Sequence, residues 1–176
     1  MNRLVIGTRG SKLALKQTDH VKSLLNKTYP ELDLKIQVVK TKGDLNLDKS
    51  IEDLGGKSAF TSELENQILE NNIDVAVHSL KDLPINLKDG LICLGSPFRE
   101  DPRDVFISNK WNCISDVPIN GIIATGSIRR KSQLLSFRPD LNIQSLRGNI
   151  DTRLRKLDES DWDGIITAAA AMHRLG

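Results

Sequence analysis

Short apolar runs rich in β-branched residues recur along the chain. Longer stretches between them carry apolar residues every three or four positions. The runs at 3–6, 34–39, 73–77, 105–107, 122–124, 142–146 and 164–167 predict strands. The periodic stretches predict helices over 128–137, 151–157 and 168–175. An earlier helix is capped by Ser11 and runs to about residue 26, with Ala14, Val21 and Leu25 on its apolar face. Another opens on a Ser62-x-x-Glu65 capping box and turns Leu64, Ile68 and Leu69 inward. The polar stretch 41–59, with Gly43 and the pair Gly55-Gly56, has no period and predicts a long loop.

Strands that alternate with helices predict an α/β chain whose sheets are mixed and mostly parallel. The pattern changes near residues 96–103, where Pro97 and Pro102 stand among charges. Two lobes follow, 1–97 and 98–176. They echo each other. Val5-Ile6-Gly7-Thr8-Arg9-Gly10-Ser11 resembles Ile123-Ala124-Thr125-Gly126-Ser127-Ile128-Arg129, and Asp74-Val75-Ala76-Val77 resembles Asp163-Gly164-Ile165-Ile166. Two similar α/β lobes facing each other across a cleft account for both echoes.

The run beginning at Ile73 is the most informative. Its strand ends in His78-Ser79-Leu80-Lys81-Asp82-Leu83-Pro84, beyond the carboxyl end, where open α/β sheets place ligands. Asp82 is a carboxylate among candidate positions that are otherwise nearly all cationic or hydroxyl-bearing. Such a site binds an anion and stabilises positive charge on it. The Gly/Thr/Ser turns before residues 12 and 128 present free helix N–H groups, with Ser11 and Ser127 as added donors. One helix terminus contributes only ~0.3–1 kcal/mol, so arginines must supply much of the binding. Arg129-Arg130-Lys131 opens a helix against its dipole, a conflict that a bound anion offsets. Arg147-Gly148-Asn149 and then Arg153 repeat the theme. Guanidinium forks fit carboxylates and phosphates. The chain has no Walker-type loop and no Gly-x-Gly-x-x-Gly, which favours a polycarboxylate over a nucleotide.

Charge narrows this further. Lys plus Arg is 25 against 23 for Asp plus Glu, a net +2, and aromatics are 4%. Neither a strong basic excess nor stacking platforms are present, so a nucleic-acid module is disfavoured. Cys93 and Cys113 form neither a metal-ligand spacing nor a disulfide framework, which points to a reducing compartment and to no metal site. No apolar run is long enough to span a bilayer, and the first residues lack a signal-peptide pattern. A cytoplasmic protein without a membrane partner is expected.

The motifs together carry a resemblance. Gly7-Thr8-Arg9-Gly10-Ser11-x-Leu13-Ala14-Leu15, Gly55-Gly56-Lys57, His78-Ser79-Leu80-Lys81-Asp82-Leu83-Pro84 and Arg99-Glu100-Asp101-Pro102-Arg103-Asp104 come first. Thr125-Gly126-Ser127-Ile128-Arg129-Arg130, Ser145-Leu146-Arg147-Gly148-Asn149 and Thr152-Arg153 follow in order. The set resembles the porphobilinogen deaminases, also called hydroxymethylbilane synthases. The resemblance implies a transferase of haem and tetrapyrrole biosynthesis. It joins four porphobilinogen units into hydroxymethylbilane, releasing ammonia, on a covalent dipyrromethane cofactor. It also implies lobes like those of type II periplasmic binding proteins, and a monomeric full-length enzyme.

By the same resemblance Asp82 is the catalytic carboxylate. Ser79, Lys81, Asp82, Thr125, Ser127, Arg129, Arg130 and Gly148 hold the cofactor. Arg9, Ser11, Lys57, Arg147, Arg153 and Arg174 hold porphobilinogen and the growing oligopyrrole, with Lys57 on a glycine-rich cover. The family's anchor cysteine belongs to a third domain, and neither Cys93 nor Cys113 matches its position. The expectation is a fragment: a first lobe without its return segment, an incomplete second lobe, no third domain, and doubtful turnover alone.

Blander roles go to other residues. His78 reads as structural, Lys131, Arg155 and Lys156 as a solvated helix face, and 99–104 as an interlobe salt-bridge cluster. A competing function is a non-catalytic two-lobed clamp for a small polycarboxylate.

Overall fold

The computed structural model describes residues 3–46 and 56–176. The chain forms two compact units. One comprises Met1–Arg99 with Leu175, the other Glu100–Arg174 with Gly176.

In the first unit β1 (Arg3–Thr8), α1 (Lys12–Thr28), β2 (Asp33–Val38), α2 (Lys42–Leu45), α3 (Ser62–Leu69) and β3 (Val75–Ala76) follow in order. The sheet order is β2-β1-β3, and both pairings are parallel. The apolar centre holds Ile6, Leu34, Leu64 and Ile73. Gly7 lets α3 approach β1, because a Cβ there would run into the Ile73 and Leu64 side chains. Thr8, Thr18, Thr41 and Thr61 are all fully buried around this centre.

The second unit contains β4 (Asp104–Ile107), β5 (Ile122–Ala124), α4 (Ile128–Phe137), β6 (Asn142–Gln144), α5 (Ile150–Asp158), β7 (Gly164–Ala168) and α6 (Ala169–Leu175). The order is β4-β7-β5-β6, with β5 parallel to both neighbours and β4 antiparallel to β7. One apolar cluster joins Val117, Ile123, Leu134, Leu141 and Ile166; a second joins Ala124, Leu146, Leu157 and Ile165.

The two units use the same register device. In the first, Asp74 just before β3 accepts the Val5 N–H on Oδ2 at 2.7 Å and donates its own N–H to the Val5 carbonyl at 2.9 Å. In the second, Asp163 just before β7 accepts the Ile122 N–H at 2.8 Å and returns its N–H to the Ile122 carbonyl at 2.8 Å. Val5 therefore corresponds to Ile122, one residue earlier than the sequence echo placed it. Thr8 then matches Thr125, both buried. Ser11 matches Ser127, both accepting a backbone N–H three residues on, at 3.3 and 3.4 Å. The first turn is longer by one residue, so no gapless comparison can match both the buried threonines and the capping serines.

Three local expectations are corrected. The stretch 41–59 is not wholly loop: it holds α2 and a 3-10 turn over Gly56–Phe60, while 47–55 lie outside the described residues. Ser62 is not the cap of α3. Thr61 takes that position, and the Glu65 carboxylate turns to Lys88 at 3.3 Å instead of reaching back. Leu69 faces out, since α3 ends there and its final turn overhangs the core.

Asp163 should carry stability and acid sensitivity together. Burial alone would raise its pKa, but the Trp111 indole N–H, the Ile122 N–H and Lys110 outweigh burial and lower it. Its folded value lies below the unfolded one, so its stabilisation is complete above about pH 4 and is lost as pH falls through the folded value. Urea denaturation of Asp163→Asn is expected to show a loss of about 1–3 kcal/mol at pH 7. That deficit shrinks when the comparison is repeated near pH 3.

Candidate active site

Parallel strands bring their following loops to one edge of each sheet. In the first unit the carboxyl end of β1 delivers Arg9 and Ser11, and that of β3 delivers His78, Ser79, Lys81 and Asp82. Ser11 caps α1. Ser79 Oγ exchanges hydrogen bonds with the Gln17 side-chain amide at 2.9 and 3.1 Å. Leu80–Asp82 is a single 3-10 turn, closed by the Asp82 N–H donating to the Ser79 carbonyl at 2.9 Å. Lys81 Nζ lies 3.0 Å from Asp82 Oδ1. The Asp82 side chain is 34% exposed, so it is neither sequestered in the core nor fully in solvent. His78 is half-buried. Burial lowers its pKa, Glu65 and Asp82 oppose that, and Arg9 adds to it, so the neutral imidazole is favoured.

Arg9 is already engaged. Its Nε donates to Asp44 Oδ2 at 3.1 Å, a terminal nitrogen pairs with Asp44 Oδ1, and the guanidinium carbon lies 4.4 Å from the Phe60 ring centroid. Burial pushes the Asp44 pKa up, but hydrogen bonds from Arg9 and Thr41 prevail and hold it below the ordinary carboxylate value. The backbone of Lys57 lies in the Gly56–Phe60 turn, and its side chain is outside the described residues, as is Gly55.

In the second unit the turn after β5 carries Thr125, Gly126 and Ser127, and the loop after β6 carries Arg147 and Gly148. The buried Thr125 accepts the Ser127 N–H at 3.3 Å. Gly126 is required because a Cβ would overlap the Leu146 carbonyl oxygen. The two turns are thereby pressed together. Gly148 adopts φ +112°, where a Cβ would come within 2.7 Å of Thr152. Its carbonyl accepts Arg153 Nε at 2.8 Å, and Asn149 caps α5. Arg130 and Arg129 both donate to Asp104, at 2.7 and 2.9 Å. Burial would raise the Asp104 pKa, but these two guanidinium groups outweigh it and lower it. Arg130 Nε is buried and has no partner among the described residues. Arg174 stands on α6, half-buried.

Each unit thus brings most of its share of the sequence-derived residues to one sheet edge. Arg174, in the last turn of α6, is joined to them by no hydrogen bond or ion pair among the described residues, and the Lys57 side chain is outside those residues. Three participants escaped the sequence reading. Gln17 is a polar residue in step with Ala14 and Val21 on the inner stripe of α1, and that mismatch was the available signal. Asp44 was announced by Thr41-x-x-Asp44, a capping pattern in a stretch assigned to loop. Asp104 was placed in an interlobe cluster. Its partners lie in the second unit instead, as do the pairs Asp101–Arg103 and Glu100–His173. Arg155 pairs with Glu159 one turn on, the solvated face expected of it. No group of three metal-binding side chains occurs among the described residues.

Residues 4–176 match a family model described as porphobilinogen deaminase, dipyromethane cofactor binding domain. A relative from Nitratidesulfovibrio vulgaris named porphobilinogen deaminase is 49% identical over 176 residues, 100% of this chain and 56% of its own length. Another of that name from Francisella tularensis is 50% identical over 177 residues, 99% of this chain and 58% of its own. The chain therefore spans little more than half the length of these relatives. Among solved structures, the periplasmic VFT2 domain of BvgS from Bordetella pertussis aligns with TM-score 0.50 at 11% identity, over 95% of this chain and 66% of that one. This is a likeness of fold alone.

Two measurements probe the second unit. Gly126→Ala must push the turn off the Leu146 carbonyl and is expected to cost roughly 1–3 kcal/mol in denaturant unfolding. Carbon-detected NMR titration should find Asp104 ionising below the ordinary value of about 3.9. Arg130→Gln should return it toward that value.

Proposed function

Since this chain belongs to the porphobilinogen deaminase family, we propose that it supplies the cofactor- and substrate-binding lobes of an enzyme that polymerises four porphobilinogen units into hydroxymethylbilane. The observation that carries this reading is the family match over residues 4–176. The match names a deaminase, so the non-catalytic clamp is not carried forward. We assign the lobes to 1–97 and 98–176. The full-length enzyme is assigned as a cytoplasmic monomer without nucleic-acid or membrane partners. Support for the location is that both cysteines are free and exposed, the state a reducing compartment maintains, and that no described helix is long and apolar enough to cross a membrane.

The donor set suits a dipyrromethane, whose acid arms are anionic. Arg130 has a buried Nε still without a partner, and Arg129 stands beside it on the first turn of α4. Thr125, Ser127 and the left-handed Gly148 place hydroxyl and backbone groups at the same edge. Ser79 and Lys81 would contribute from the first unit. When bound, the dipyrromethane supplies the nucleophilic pyrrole carbon that accepts the first substrate. Its anchoring thioether is assigned to neither Cys93 nor Cys113.

Arg9, Ser11, Arg147, Arg153 and, less centrally, Lys57 and Arg174 are assigned to the acid arms of porphobilinogen and the growing oligopyrrole. Asp82 performs the electrostatic work. Lys81 occupies Oδ1, and no described residue occupies Oδ2, so Oδ2 can accept a pyrrole N–H. Departure of ammonia from the aminomethyl arm leaves positive charge spread over that ring and its nitrogen. A fixed carboxylate at the N–H favours this charge over the neutral ground state.

The chain fused to the remaining length of the Francisella tularensis relative is expected to release ammonia and hydroxymethylbilane from porphobilinogen. Asp82→Asn should slow that release by about 10²–10³-fold. An unchanged rate would remove Asp82 from the mechanism.

A further inference from the structure

A guanidinium group has five N–H donors arranged as two usable edges. In Arg9 one edge, Nε with Nη2, faces Asp44, which leaves Nη1 and the second hydrogen of Nη2 pointing the other way. Asp44 is itself fixed. Its Oδ2 accepts the Thr41 hydroxyl at 2.8 Å and the Thr41 N–H at 3.3 Å, and Thr41 is completely buried. Beneath the guanidinium lies Phe60, seated against Gly43, where any Cβ would overlap the ring. An exposed arginine ordinarily surrenders much rotamer freedom when it grips a ligand; one already held surrenders less.

We propose that Asp44 is a positioning residue for Arg9, gripping one edge of the guanidinium so that the opposite fork stands ready for an acid arm of the substrate. The proposal rests on the reading of Arg9 as a substrate-binding residue. Asp44 acts in two opposed ways. It orders the fork, and its negative charge repels the incoming carboxylate. Lengthening the side chain by one methylene retains the charge and spoils the grip, so Asp44→Glu isolates the ordering effect. Thr41→Val, nearly isosteric, removes one of the bonds that fix Asp44 and leaves every charge in place.

Two readouts on the 176-residue chain test this. Calorimetry with porphobilinogen measures affinity, and 15N NMR follows the Arg9 Nε–H, assigned by its loss in Arg9→Gln. The wild type is expected to bind porphobilinogen and to show a sharp, slowly exchanging Nε–H. Asp44→Glu should broaden that signal and weaken binding at least fivefold at an unchanged urea midpoint. Thr41→Val should weaken binding two- to threefold, and it decides the matter if Asp44→Glu alters the midpoint. Wild-type affinity in both variants, with binding lost in Arg9→Gln, overturns the positioning role and leaves Arg9 as a binding residue. Undiminished binding in Arg9→Gln, or none in the wild type, overturns the reading of Arg9 and the proposal with it.

Discussion

Everything at the two sheet edges depends on strand register, and register is fixed by a carboxylate that bonds across the sheet. A two- or three-residue strand makes too few ladder bonds to resist slipping, and a slip of one residue reverses which side chains face the core. Asp74 and Asp163 meet this difficulty in the same way. Each adds a charge-assisted bond to the central strand at the position where pairing begins. With the start fixed, the strands finish level. Arg9, Ser11, Ser79 and Asp82 then leave one edge, and Thr125, Ser127, Arg147 and Gly148 leave the other unit's edge.

The cations gathered there are not bare. Asp44 holds Arg9, and Asp104 holds Arg129 and Arg130. In each case the carboxylate is partly buried and stays ionised because its arginines outweigh burial. These two carboxylates are among the 23 acids that offset 25 Lys and Arg and leave a net charge of only +2. The acids that neutralise these arginines lie directly beside them, within hydrogen-bond distance.

Much of this was legible in the sequence because periodicity reports burial directly. The strand Ile122–Ala124 and the helix Ile128–Phe137 have the limits that the pattern set, and Ser11 caps the helix it announces. What escaped is one apolar residue at a helix end and several polar residues with tertiary partners. Leu69 fits the helical stripe yet faces out, since a periodic pattern cannot know where the core stops. Glu65 satisfies a capping pattern yet turns to Lys88, because a buried carboxylate beside a lysine gains more there than at a helix end. Asp104 and Arg129 are 25 residues apart, and no local rule joins them. The repeat was set one residue out along the strand, and because the turns after β1 and β5 differ in length, no single offset aligns both the threonines and the capping serines.

The interiors of the two units differ in kind. Among the described residues the second is filled by two aliphatic clusters, whereas the first surrounds a few aliphatic side chains with four buried threonines and Glu65. Newly wetted hydrocarbon raises the heat capacity of an unfolding chain, while newly wetted polar groups lower it. Disassembly of the threonine-rich unit is therefore accompanied by the smaller rise for its size, and its free energy bends less with temperature. The edge that carries Arg9 and Asp82 rests on the half whose resilience changes more gently between cold and warm surroundings.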